Sequence, residues 1–439
     1  MVILGTRRLA GRHGSAAVSA PPLIGSATAD PSEVVGGAAA RGVRRVIPQL
    51  TGIRALAALW VACFHFRPYL IESFPWSWPL TPLFNVGHLG VDLFFILSGF
   101  ILTFTHLDRM AVGLGPRKIV GFLWLRLSRV WPVTATMLLV YGVYRVAQTW
   151  VTGDPGYASS LDVQRLLAHL ALVQAWGSAH HDWNPVDWSI SAEWMAYLAF
   201  GFLVVFLVRA RAALSSRALA VLAGVVLVPM VIIGASLDDG ADLTWTGDQI
   251  VPGIVALRVL TEFVAGAFVA LIVQRAGAPR RLPFLLRPAV IMTAIVVVIY
   301  LLQRFDPVWR PRFGQEWNYD GHSLWGSTES VIVVPLFAVL IGSLALTSGG
   351  ISRVLSSRPL VWGGKVSFAF YLAHWFFLDL MLFILGQTTF ATDVRSLSHR
   401  LLLLGTMSVA VVAGWVLYRF VEEPARRGMR RMLPRSIDI

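Results

Sequence analysis

The sequence predicts an all-α, polytopic membrane protein with about ten transmembrane helices and both termini in the cytoplasm. Hydrophobic residues make up 56% of the chain and charged residues only 14%, and the mean hydropathy is +0.67. Soluble domains are markedly more polar than this. Apolar stretches near the roughly 20 residues that a span needs recur along the chain. We therefore expect the protein in the cell membrane, with the lipid bilayer as its solvent.

Basic residues lie between the apolar stretches and predict the orientation of the chain. Positive charge beside a span marks the cytoplasmic side. The basic clusters and the acidic loop with Asp238, Asp239, Asp242 and Asp248 alternate correctly only if residues 164–176 do not cross the membrane. Residues 151–187 are therefore predicted to be an external or re-entrant element. The candidate spans are 50–70, 88–106, 130–150, 188–208, 218–236, 254–274, 288–303, 329–347, 366–386 and 400–420.

Composition also excludes several classes of function. The net charge of +13 is explained by membrane topology, and no nucleic-acid motif accompanies it, so no nucleic-acid partner is expected. The single cysteine, Cys63, excludes an intramolecular disulfide and a multi-cysteine metal site. The run His180-His181-Asp182 has no cysteine or compact carboxylate set beside it, so no metal site and no tightly bound cofactor are expected.

Three regions are predicted along the chain. Residues 1–46 are rich in Gly, Ala, Ser and Pro, which predicts a disordered cytoplasmic tail. Residues 47–427 form the transmembrane domain, and residues 428–439 form a basic cytoplasmic tail. Because no soluble domain is expected after the last span, any catalytic apparatus is predicted to lie within the membrane part.

The first span, "LTGIRALAALWVACFHF", contains an arginine and a histidine. Eleven positions at 100° each bring His65 to within about 20° of Arg54, roughly 16 Å further along the helix axis. The two residues therefore share one face, with Ala58 and Val61 between them. Two interpretations of Arg54 stay open, a functional cation and a side chain that reaches interfacial water. For His65, a functional site and a buried structural histidine are the alternatives.

Two further segments carry acidic groups inside apolar surroundings. "GHLGVDLFFILSGFILTFTH" places Asp92, Gly99, Thr103 and His106 on one face. Asp92 either caps its helix or pairs with an imidazole, and Gly99 allows close helix approach. In "NPVDWSISAEWMAYL", Glu193 lies about one turn inside an apolar run. It needs a partner there, or acts as an acidic residue at a helix N-terminus.

Six ordered motifs resemble the membrane-bound acyltransferase 3 family. They are "LTGIRALAALWVACFHF" with ten residues between its Arg and its His, "GVDLFFILSGFILT", "FLWLRLSRVWP", "DWSISAEWMAYL", "VSFAFYLAHWFF" and "RFVEEPARR". Together they span about residues 50–427. Each motif is weak alone, but the ordered set is specific.

The resemblance implies transfer of an acyl group, usually acetyl, from cytoplasmic acyl-coenzyme A to a hydroxyl of a surface carbohydrate or lipid-linked glycan. In that scheme His65 is the general base, because a hydroxyl needs a base to attack a thioester at neutral pH. Arg126 and Arg129 contact the phosphates of coenzyme A, and Arg54 binds its pantetheine or phosphate part. Glu193 orients the imidazole or holds an acceptor hydroxyl, and Asp92 is a further candidate catalytic residue.

The sequence departs from the family pattern at two places. Trp194 follows Glu193 where a second acidic or polar residue is common, and Trp375 and Phe376 follow His374 where a proline is common. Two alternatives also stay open. One is a polytopic transporter that uses intramembrane Arg, His and Glu, and the other is acyl transfer to a small secondary metabolite such as a macrolide.

Overall fold

The protein is built from α-helices in the computed structural model, which describes residues 47–159, 161–177, 183–230, 254–305, 326–387 and 393–434. No β-strand occurs within these ranges, so the all-α prediction is confirmed. The helices are α1 Pro48–Ser73, α2 Thr81–Asn85, α3 Leu89–Ala111, α4 Pro116–Thr152, α5 Gly156–Ser159, α6 Val163–Leu170, α7 Trp188–Ala213, α8 Ser216–Val225, α9 Ile254–Ala276, α10 Pro288–Phe305, α11 Gly326–Ala345, α12 Ile351–Leu355, α13 Arg358–Gln387, α14 Leu397–Leu417 and α15 Glu423–Arg431.

Seven of the described helical stretches are long and apolar enough to cross a membrane. They are α1, α3, α4, α7, the part Val255–Ala276 of α9, α13 and the continuous stretch Leu397–Arg431. Three shorter apolar helices cover Ser216–Met230, Pro288–Leu302 and Ile332–Ala345. These ten stretches coincide with the ten regions predicted from the sequence. The protein is thus a multi-pass membrane protein, and ten spans with cytoplasmic termini stay predictions.

Helix α4 begins earlier than the sequence predicts. Its 37 residues start at Pro116, at a position where the missing amide hydrogen of proline costs nothing. At 1.5 Å per residue the helix is about 55 Å long, well beyond the roughly 30 Å of the hydrocarbon core. Arg126 and Arg129 therefore belong to the helix itself, one turn apart on one side, rather than to a loop before it.

Within its described residues, the element predicted to be external or re-entrant contains the short helices Gly156–Ser159 and Val163–Leu170. Val163–Leu170 has eight residues, too few for a span, and Asp162 caps it by accepting a hydrogen bond from the amide of Arg165 at 2.8 Å. The chain then turns back at Leu172, whose φ of 59° is unusual for a residue other than glycine. Four predictions lie outside the described residues, namely the tail 1–46, the acidic loop with Asp238, Asp239, Asp242 and Asp248, the run His180-His181-Asp182 and the last residues of the basic C-terminal tail.

Helices α3 and α9 cross at close backbone contact. A Cβ atom on Gly99 would lie 1.9 Å from the carbonyl oxygen of Phe263, and one on Gly266 would lie 2.0 Å from that of Ile96. Each glycine therefore makes room for the backbone of the other helix. Close contact at small residues is a main source of helix association in lipid, where burial of apolar surface drives little. The predicted role of Gly99 in helix packing is confirmed.

Helices α1 and α13 meet in the same way, although 284 residues separate them in the sequence. A Cβ atom on Gly364 would lie 1.8 Å from the carbonyl oxygen of Thr51. Further along the pair, Ala58, Ala62, Val366 and Phe370 pack in one buried cluster. These contacts hold α1 and α13 side by side.

We expect Gly99→Ala to lower the stability of the protein. The added methyl group has no space beside Phe263, so the two helices must move apart at a cost of about 1–3 kcal/mol. Thermal unfolding of the purified protein in detergent measures this. Gly405→Ala in α14 is the matched control, because nothing lies within 4 Å of a Cβ atom at that position. Equal melting temperatures for the two variants would contradict the close crossing.

Candidate active site

Residues of five helices, α1, α3, α4, α7 and α13, line a cavity of about 60 Å³ within the described part of the protein. We call it the arginine cavity. Its polar lining comes from Arg54, Arg126, Arg129, Ser98, Ser189, Glu193, Tyr197, Ser367 and Tyr371, and its apolar lining from Val91, Phe94, Phe95, Leu97, Ile101, Leu102, Ile190 and Phe368. The structure therefore brings together four residues that the sequence singled out, Arg54, Arg126, Arg129 and Glu193.

The three arginines make the cavity a site for anions. Arg54 and Arg129 repel each other, and Glu193 and Glu422 attract both of them. The guanidinium of Arg54 also lies 5.8 Å from the centre of the Phe94 ring, and its Nε is buried with no hydrogen-bond partner among the described residues. A buried guanidinium donor without a partner is costly, and an anionic ligand would satisfy it.

Glu193 is fixed by two hydroxyl groups. Ser98 donates to its Oε1 at 2.8 Å, and Tyr197, one turn further along α7, donates to the same oxygen at 2.5 Å. Neither donor uses Oε2. Because α7 begins at Trp188, Glu193 lies in the second turn of the helix, and the alternative of a first-turn acidic residue is wrong. Its partners are these hydroxyls, so it does not orient the imidazole of His65.

His65 pairs with a second histidine rather than with a carboxylate. Its Nδ1 lies 2.8 Å from Nε2 of His374 on α13. The ring of Trp375 stands perpendicular to that of His65, with the ring centres 4.7 Å apart. His374 is fully buried, and His65 is only partly so. His65 does not line the arginine cavity itself, but Tyr371 does, and the carbonyl oxygen of Tyr371 accepts a hydrogen bond from Nδ1 of His374 at 2.5 Å.

The face of α1 between Arg54 and His65 is closed by packing. Ala58 and Val61 are each only 1% exposed, and they pack in separate clusters of the core. The predicted stripe thus exists, with a cation at its inner end and an imidazole three turns further out.

Asp92 lies outside the arginine cavity, in an ion pair with α9. Arg258 donates from Nε to Oδ1 at 2.7 Å and from Nη2 to Oδ2 at 2.6 Å, and both side chains are buried. Glu262 adds a second carboxylate, 3.5 Å from the same Nε. Asp92 therefore neither caps its helix nor pairs with an imidazole. The predicted polar face of α3 with Asp92, Gly99 and Thr103 is the face that packs on α9.

The element before α7 is held to the start of α7 and to α13 by hydrogen bonds. His169 and Gln174 hydrogen-bond to the buried carboxylate of Asp187, at 2.8 Å and 3.0 Å. Asn184 donates to the carbonyl oxygen of Leu372 on α13 at 3.2 Å. Asp187 precedes α7 directly, so these bonds fix the start of the helix that carries Glu193.

Sequence reasoning missed several residues of this site. Ser98 and Tyr197 bind Glu193, and His374 and Tyr371 support His65. Each had a signal in the sequence. Ser98 directly precedes Gly99, the residue whose sequence context predicts close helix packing. Tyr197 follows Glu193 by four residues, the spacing of neighbours on a helix. The other two stand in the motif "YLAH".

The sequence model of a family described as an acyltransferase domain, acyltransferase 3, matches residues 47–419. The acyltransferase MdmB of Streptomyces mycarofaciens is 28% identical over 88% of this chain and 94% of its own length. The peptidoglycan O-acetyltransferase OatA of Listeria monocytogenes is 23% identical over 88% of this chain. The chain spans only 56% of the length of OatA. No solved structure matches the chain.

We expect Asp92→Ala to destabilise the protein. Removal of Asp92 leaves the buried guanidinium of Arg258 without the carboxylate that accepts two of its hydrogen bonds, at a cost of about 3 kcal/mol. Thermal unfolding in detergent measures the effect. The control is Asp108→Ala, which breaks the exposed pair between Asp108 and Arg211 and costs less than about 1 kcal/mol. An Asp92→Ala variant that loses acyl transfer at unchanged stability would contradict a packing role and favour contact with substrate.

Proposed function

Because this chain belongs to the acyltransferase 3 family, we propose that it transfers an acetyl group from cytoplasmic acyl-coenzyme A to a hydroxyl of a surface carbohydrate or lipid-linked glycan. The observation that carries the proposal is the convergence of Arg54, Arg126 and Arg129 on one cavity inside a membrane protein. Charged groups in such a place are costly and are usually retained for function.

The donor fits the charge of this cavity. Coenzyme A carries several phosphate charges, and guanidinium groups bind phosphate through two parallel hydrogen bonds. Arg126 and Arg129 lie in the first half of α4, which is predicted to begin in the cytoplasm. Arg54 lies at the same end of α1. With its phosphates held by these arginines, coenzyme A would reach His65, about 16 Å further along α1, if its pantetheine arm passes beside the face that Ala58 and Val61 close.

The proposed reaction is a direct transfer. The acceptor oxygen attacks the thioester carbonyl carbon while His65 takes the hydroxyl proton. The C–O bond forms, the C–S bond breaks, and the thiolate of coenzyme A leaves and takes up a proton. Glu193, held by Ser98 and Tyr197, would hold an acceptor hydroxyl through its second oxygen.

The proposed acceptor is a carbohydrate because a relative is named as a peptidoglycan O-acetyltransferase. A small secondary metabolite is the alternative from the sequence. The two differ in the product that receives label, so one experiment distinguishes them.

Replacement of His65 by Ala is expected to lower acetyl transfer by a factor of about 100 or more, because the base is lost. Inverted membrane vesicles receive labelled acetyl-coenzyme A on the cytoplasmic side, and label is measured in glycan, lipid and small-molecule fractions. Equal amounts of inserted protein and equal melting temperatures serve as the control. Transport of an acetyl-free substrate without any labelled product would favour a transporter, and full transfer by the variant would remove His65 from the mechanism.

Loss of the arginines is expected to weaken donor binding. Replacement of Arg54, Arg126 or Arg129 by Gln removes charge-assisted hydrogen bonds, which corresponds to about a 10- to 100-fold rise in the dissociation constant of acetyl-coenzyme A. Thermal stabilisation by acetyl-coenzyme A measures binding. Arg287→Gln, an exposed arginine of another basic cluster, is the matched control. Stabilisation that persists after all three replacements would contradict the donor site.

A further inference from the structure

The two histidine rings lie edge to edge in almost one plane. Their planes differ by 14° and their centres are 5.0 Å apart. Nδ1 of His65 and Nε2 of His374 are 2.8 Å apart. The 5.0 Å between the ring centres is close to this N–N distance plus the radii of the two rings. The contact therefore lies in both ring planes, where an imidazole N–H donates and an imidazole lone pair accepts. It has the geometry of a well-aligned hydrogen bond.

The partners of His374 decide which histidine donates. Its Nδ1 lies 2.5 Å from the carbonyl oxygen of Tyr371. A carbonyl oxygen only accepts, so Nδ1 of His374 carries a hydrogen. In a neutral imidazole the other nitrogen is then an acceptor. Nε2 of His374 therefore receives the hydrogen bond, and Nδ1 of His65 must donate it.

We propose that His374 is a positioning residue that holds His65 in the tautomer with hydrogen on Nδ1, which leaves the lone pair on Nε2 to take the proton of the acceptor hydroxyl. This inference rests on the proposed function of His65 as the base. The tautomer of a histidine is set by the hydrogen bond that its second nitrogen makes. Here His65 donates from Nδ1 to Nε2 of His374, and His374 donates from Nδ1 to the carbonyl oxygen of Tyr371.

The accessibility of the two rings agrees with this division of roles. His374 is 0% exposed, while His65 is partly exposed. The perpendicular Trp375 ring limits rotation of the His65 imidazole. When Nε2 of His65 takes a proton, Nδ1 keeps its hydrogen and the bond to His374. Neither the His65–His374 hydrogen bond nor the His374–Tyr371 hydrogen bond has to break during the transfer.

A carbonyl-bound histidine thus takes the place that a carboxylate occupies beside many catalytic histidines. It is neutral, which suits a position buried between membrane helices better than a second charge does. Glu193 makes no hydrogen bond to His65 in the described structure, since its partners there are Ser98 and Tyr197.

The test compares two replacements of His374 in the full-length protein. His374→Phe removes the acceptor, and we expect kcat to fall about 100-fold or more while KM for acetyl-coenzyme A stays unchanged. His374→Gln places an amide oxygen at similar reach, and we expect it to recover at least about tenfold of that loss, the value of one hydrogen bond. His106→Gln, which alters another buried imidazole with Thr105 as its partner, is the control for folding.

A spectroscopic readout separates positioning from mere packing. In protein labelled with ¹⁵N-histidine, the nitrogen shifts of His65 are assigned by comparison with His65→Ala. We expect hydrogen on Nδ1 in the wild type and a move toward Nε2 in His374→Phe. An unchanged tautomer, or an unchanged kcat in His374→Phe while His65→Ala is inactive, would overturn the role of His374 and leave the base assignment intact. An active His65→Ala variant would instead remove the base itself.

Discussion

The cost of polar groups in hydrocarbon governs the architecture of this protein. A charge or an unpaired donor inside a bilayer is costly unless another protein group or a cavity satisfies it. The described structure meets this constraint in two ways. Asp92 and Arg258 neutralise each other between α3 and α9 and are sealed from solvent. Arg54, Arg126 and Arg129 instead line one cavity with a single lining carboxylate, which leaves an excess of positive charge. The first arrangement joins two helices, and the second places positive charge around a cavity.

Glycines determine how near these groups come to one another. Where α3 meets α9 and α1 meets α13, the backbones of the two helices are in contact at glycines. This contact determines where the side chains around each crossing lie. The Asp92–Arg258 pair lies along the first crossing line. The His65–His374 pair lies along the second. Helix packing and these hydrogen bonds therefore depend on each other. A shift of α3 against α9 would lengthen the Asp92–Arg258 bonds, and a shift of α1 against α13 would lengthen the His65–His374 bond.

Much of the fold was readable from the sequence, because long apolar stretches and the placement of arginines depend only on local composition. The face shared by Arg54 and His65 followed from helical periodicity. The partner of Asp92 did not, since Arg258 is 166 residues away in a segment whose pattern says only that it is apolar. The same holds for His374, 309 residues from His65. Periodicity shows which residues share a helix face, but it does not show which helix lies opposite. For Glu193 the partner Tyr197 is only four residues away, but the sequence left two interpretations open, a partnered carboxylate and an acidic residue at a helix N-terminus.

The pairing of α1 with α13 has a consequence for biogenesis. His65 lies on α1, at the start of the described residues, and His374 on α13 follows it by 309 residues and is inserted much later. Until then the imidazole near the start of the chain lacks its hydrogen-bond acceptor. The proposed base would therefore gain its acceptor only late in assembly, after α13 has been inserted beside α1.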